Sequence, residues 1–225
     1  MFLWRDIRCS SDHLLKCKRG NEWDTRHMAI NQVVASIVRS AQLPVSTELV
    51  LSTLTPPAPG YQPPPGRMDL VITNSDFQTI LADVTITHPN PSDNQAISSS
   101  MLQPGHFSAN RENAKRSKYG QAAVILGAKF IPLVLETYGN FGSAFSSFIG
   151  KLSVELFRRQ SNSDPELETH FKNCLKQLWT IRISVCFQRA SARLIISKIS
   201  RTQQITQRGA PTTMVDFSGS SLWSI

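Results

Sequence analysis

Apolar residues first recur with helical spacing at Ile30, Val33, Val34, Ile37, Val38 and Ala41, which form one face of a helix. Asp24 or Thr25 is placed to cap its start. Leu43-Pro44 ends it, because the residue before a proline is pushed out of helical geometry. Residues 46–51 then read as a strand. Residues 55–66 are proline-rich and predict a stiff surface loop. Short strands follow at 68–72 and 80–87, separated by turn chemistry at 74–76. Residues 92–110 are polar and predict a long loop, with a helical turn near 96–102. A helix over about 110–126, a strand over 130–136 and a turn over 138–142 come next. Ser143 is placed to cap a helix carrying Phe145, Phe148, Ile149, Leu152 and Leu156. After a linker at 161–165, the pattern predicts a long helix over 166–202. Leu178, Ile181, Val185, Ala192, Ile195 and Ile199 form one of its faces, and Arg182, Arg189 and Arg193 form another. Residues 203–225 are Gln/Thr/Ser/Gly-rich and predict a disordered tail.

The order helix, strand, strand, strand, helix, strand, helix predicts an α/β fold: a mixed β-sheet core flanked by helices, with a C-terminal helical extension. A chain of 225 residues that is 40% apolar buries a sizeable core and forms one domain or two. No stretch approaches 18 uninterrupted apolar residues, which excludes a membrane-spanning helix. The apolar part of residues 1–9 is too short for a secretory signal. The expected location is therefore the nucleus or cytoplasm, not the secretory route, and no small-molecule substrate is evident.

Charge changes the picture. The formal net charge is +8, and residues 151–208 alone carry 11 Lys+Arg against 4 Asp+Glu. A basic C-terminal third suits a polyanion, DNA first and RNA second. It equally suits a solvated helix face, and charge alone does not choose between them.

The sharpest chemistry is two aspartates set inside apolar strands, Asp69 and Asp83. A carboxylate in such a place needs a partner. One divalent cation would serve both. Mg²⁺ takes one or two carboxylates and fills its shell with water and phosphate, and Mn²⁺ could take its place. Alternatively, each aspartate ends a strand or pairs with a nearby arginine such as Arg67. On the next helix, Lys115 and Lys118 are spaced i, i+3 and share a face. Either could reach the aspartates and stabilise charge on a phosphate, or both could belong to a solvated charge run. Cys9, His13 and Cys17 make an incomplete zinc set, since a structural site needs four ligands. Cys174 and Cys186 suit small apolar fillers.

Arg67-Met68-Asp69, then 13 residues, then Asp83, then Lys115-Arg116-Ser117-Lys118-Tyr119 resembles a restriction-endonuclease-like nuclease of the PD-(D/E)XK type. More closely, it resembles the endonuclease domain at the C-terminal end of non-LTR retrotransposon polyproteins. Residues 83–89, 130–137 and 179–190 share the likeness. The resemblance implies a restriction-endonuclease-like fold and hydrolysis of DNA by a metal-activated water, as in target-site nicking. It makes Asp69 and Asp83 the Mg²⁺ ligands. Thr85 stands where the simplest motif has its lysine, and Lys115 or Lys118 would supply that lysine from the helix. Arg67, Arg182, Arg189 and Arg193 would meet DNA phosphates. Glu48, Glu136 and His27 are secondary candidates, with His27 also suited to capping or packing. Met68 replaces the family's proline, and an inactive nucleic-acid-binding relic of a mobile element is the alternative function. The implied division is a truncated zinc knuckle at 1–23, a nuclease core at 24–158, a basic helical extension at 159–202 and the tail at 203–225.

Overall fold

The computed structural model describes residues 14–15, 21–54, 60–74, 76, 78–88, 105–160 and 165–209, the last with side chains for 167–201. Cys9, His13, Cys17, residues 92–104 of the expected loop and the end of the tail from residue 210 lie outside the described residues; residues 106–110, expected as the end of that loop, are already helix. The main elements run α1 (Glu22–Ser40), β1 (Val45–Val50), α2 (Leu51–Leu54), β2 (Arg67–Thr73), β3 (Thr79–Thr87), α3 (His106–Ile125), β4 (Lys129–Glu136), α4 (Ser143–Arg159) and α5 (Pro165–Gly209). The fold is mixed α/β. One four-stranded sheet has the order β1-β2-β3-β4, antiparallel through β3 and parallel between β3 and β4.

The helical stripe on α1 packs as its spacing predicts: Ile30, Val34, Ile37 and Val38 are buried. Its start differs. Asn21 stands at the cap, so Asp24 and Thr25 fall inside the first turn. There the acidic pair Glu22 and Asp24 complements the exposed N–H groups of the helix end. The helix ends as a Schellman turn. Gln42 adopts φ 60°, its N–H donates to the Arg39 carbonyl, and the Leu43 N–H donates to the Val38 carbonyl. Pro132, which has no N–H to give, sits in β4 at the sheet edge.

The cap of α4 differs from the sequence expectation. Gly142, not Ser143, precedes α4, and the acceptor comes from another helix. The buried Glu112 of α3 takes the Ala144 N–H at 3.0 Å and the Ser143 hydroxyl at 3.2 Å. Glu136, at the end of β4, likewise takes the Ser108 N–H at 3.0 Å in the first turn of α3. A carboxylate at a helix N-terminus satisfies orphan N–H groups and meets the positive end of the dipole. These two glutamates therefore fix α3 at its start and along its length.

The long helix packs on a different face from the expected apolar one. Trp179, Ile183, Phe187 and Leu194 are buried, whereas Leu178, Ile181, Val185 and Ile199 are exposed. Trp179, Ile183 and Phe187 follow an i, i+4, i+8 row and bring the larger aromatic surfaces to the core. They join one apolar cluster with α1, α4 and the sheet. The helix runs on to Gly209, beyond the expected end at 202. On the opposite sheet face, Met68, Leu81, Tyr119, Ala122 and Ala123 form a smaller cluster under α3.

Candidate functional site

β2 and β3 pair only as far as Leu70↔Ala82. The same register sets Asp69 opposite Asp83, at the point where the ladder stops. Beyond it, residues Asp83–Thr87 of β3 pair with β4 alone among the described residues. Side chains replace the missing ladder bonds at Val84. Its N–H donates to Asp69 Oδ2 at 2.6 Å, and its carbonyl accepts from His27 Nε2 at 2.9 Å. His27 Nε2 also lies 3.3 Å from Asp69 Oδ2. The irregularity reaches β1 as well: Glu48, opposite Asp69 in register, has φ 58°. Met68 and Leu70 pack in different apolar clusters, which strict alternation along a strand would not permit. The strand is distorted at Asp69.

The opening so made is a cleft of about 480 Å³ between the N-terminal half of α1 and α3. Asp69, Asp83, His27 and Lys115 all line it. Lys115 Nζ pairs with Asp83, at 3.0 Å from Oδ1 and 2.8 Å from Oδ2. The Thr85 hydroxyl, two residues along the strand and so on the same side, donates to Asp83 Oδ2 at 2.7 Å. Burial disfavours the charged form of His27. The hydrogen bond and charge of Asp69, the Val84 carbonyl and the charge of Asp83 outweigh that, and its pKa is pushed up to about 9.

The structure separates the candidates. It brings Asp69, Asp83, Lys115 and His27 together. Lys118 is exposed, lies over the Tyr119 ring at 4.8 Å, and does not line the cleft. Arg67 is exposed and is not the aspartates' partner; Lys115 and His27 are. Glu48 accepts from Asn31 Nδ2 at 2.8 Å, and Glu136 caps α3; neither lines the cleft. Arg182, Arg189 and Arg193 line a separate groove of about 440 Å³ between α1 and α5. Cys186 is half-buried in that groove and Cys174 is exposed on α5.

Sequence reasoning missed Arg26 and Arg111, which also line the cleft. Arg26 is 1% exposed. Burial pulls its pKa down to about 10, so it remains a cation at neutral pH. Its position was visible: it lies four residues before Ile30 and eight before Val34, in phase with the apolar stripe.

Two carboxylates supply hard oxygen donors, the chemistry Mg²⁺ takes, and leave most of its shell to water and phosphate. No group of three or more His, Cys, Asp or Glu side chains that could hold a metal occurs among the described residues. Two carboxylates are fewer donors than a closed structural site takes. Comparison with known protein families matches no family model, and comparison with curated proteins finds no similar sequence.

Proposed function

We propose that this chain is a divalent-metal-dependent DNA endonuclease with a restriction-endonuclease-like core, hydrolysing a phosphodiester. One observation carries the reading: Asp69 and Asp83 face one cleft across a broken β-ladder, with the Lys115 ammonium bonded to Asp83. Mg²⁺ or Mn²⁺ on the two aspartates would supply an activated water and stabilise charge on the phosphate. The chain's own groups do the rest. Thr85 and Lys115 orient Asp83. His27 and the Val84 N–H hold Asp69 by one oxygen. Lys115 is a cation beside the carboxylate pair, placed to meet charge developing on the phosphate. Arg182, Arg189 and Arg193 would neutralise backbone phosphates without reading bases.

The test is plasmid nicking by purified protein in Mg²⁺ and in Mn²⁺. Nicking that needs the metal and is lost in Asp83→Ala supports the reading. Nicking that survives Asp83→Ala sinks it.

A second reading, a nucleic-acid-binding relic without cleavage, is favoured by one contact. Lys115 approaches both oxygens of Asp83, and Thr85 takes one of them as well. It predicts salt-sensitive DNA binding, no nicking in either metal, and binding unchanged in Asp69→Ala.

A further inference from the structure

Arg26 has no part in the function proposed above, yet it is the most deeply buried cation of the cleft. A guanidinium carries five N–H donors. Here Nη2 donates to the Leu15 carbonyl at 3.3 Å, while Nε and Nη1 have no acceptor among the described residues. No described carboxylate forms an ion pair with it. The Phe187 ring, 5.9 Å from the guanidinium carbon, gives only modest compensation. A buried charge without a counter-charge is costly, and an anion in the cleft would offset that cost. The side chain lines the same opening as the exposed Arg111, which approaches from α3. A planar guanidinium with idle donors matches the oxygens of a phosphate.

We infer that Arg26, with Arg111 at the outer side, forms an oxyanion subsite in this cleft that takes a phosphate group. Assigning that phosphate to a nucleic-acid strand rests on the endonuclease reading; the subsite itself does not. Arg26 would hold a phosphate beside the carboxylate pair and so position the strand.

The experiment uses the full chain in EDTA, with the Arg26 Nε–H followed by nitrogen-15 NMR. Inorganic phosphate should shift that resonance saturably. Arg26→Gln should weaken phosphate binding about 10- to 100-fold, the worth of one or two charge-assisted hydrogen bonds. Arg39→Gln, at the exposed far end of α1, should leave it unchanged. An Arg26 resonance that stays still in wild-type protein overturns the subsite, even if the Arg26 variant fails to fold. A short DNA duplex should then displace phosphate from Arg26. Phosphate binding that DNA does not compete for overturns the strand assignment and leaves free phosphate as the occupant. Because metal is absent throughout, a failure to nick DNA does not bear on either result.

Discussion

Lys115 reaches Asp83 from a different element: its Nζ, carried on α3, lies 3.0 Å and 2.8 Å from the two carboxylate oxygens on β3. Lys118, three residues on, shares only the Tyr119 ring with it, at 4.8 Å against 5.4 Å for Lys115, and bonds neither aspartate. The two lysines should therefore behave differently. Lys115→Met is expected to slow metal-dependent nicking about 100-fold or more, the usual cost of removing a positioned electrostatic group. Lys118→Met should stay within about twofold, as expected of an exposed side chain that bonds neither aspartate. Initial nicking rates, with circular dichroism to confirm folding, decide it. Equal losses in both variants would detach Lys115 from the mechanism.

The position of α3 depends on a contact that leaves no room at Gly142. A Cβ there would lie 2.3 Å from Glu112 Oε1 and 3.3 Å from Val134 Cβ. The backbone at Gly142, φ −61° and ψ 156°, suits any residue, so the obstacle is space and not conformation. Gly142→Ala must push the Glu112 carboxylate off the Ala144 N–H. We expect a cost of about 1–3 kcal/mol in urea unfolding. A loss under about 0.5 kcal/mol would show that Glu112 does not hold the start of α4 in this way.

How much of this was legible follows from where each signal lies. Asp69 and Asp83 stood out because a carboxylate between apolar strand residues is locally anomalous. That they share a cleft is a matter of strand register, and the register ends where they meet. Lys115 and Lys118 were inseparable because i, i+3 neighbours share a helix face, and only the tilt of α3 against β3 chooses between them. The cap of α4 is non-local for a related reason. Ser143 was the obvious local candidate, but the acceptor is Glu112, 31 residues earlier in sequence. His27 and Arg26 sit side by side on α1. The first meets the open edge of β3 and the second lies in the apolar phase, a difference of one residue in helical angle.

The faces of α5 make the same point and can be tested directly. Spacing alone favoured the row through Ile181, yet Ile181 is 57% exposed and Trp179 is 2% exposed. Trp179→Ala should cost about 3–5 kcal/mol, the range for truncating a buried large aromatic. Ile181→Ala should fall within about 0.5 kcal/mol. Paired urea titrations measure both. If Ile181→Ala proves the costlier, the helix packs on its other face and the shared core is wrong.

Glu22 ties the start of α1 to the far end of α5, accepting from the Ser197 hydroxyl at 2.9 Å and from Arg201. A hydrogen bond from its own backbone, then the Ser197 bond, then the charges of Arg201 and Lys198 lower its pKa below the usual 4.5, against the opposing effect of burial. The sign follows from linkage. The folded state binds this proton less readily than the unfolded state. The contribution is therefore complete above about pH 4.5 and is lost as pH falls through the lower folded value. Glu22→Gln should be less stable than wild type at pH 7, and the gap should shrink on acidification below pH 4.5. High salt should shrink it too, because the Arg201 side chain is exposed. Unfolding free energies of the two proteins between pH 3 and 7 measure this. A gap that stays constant across the range would mean that the carboxylate charge contributes nothing to holding α5 against α1.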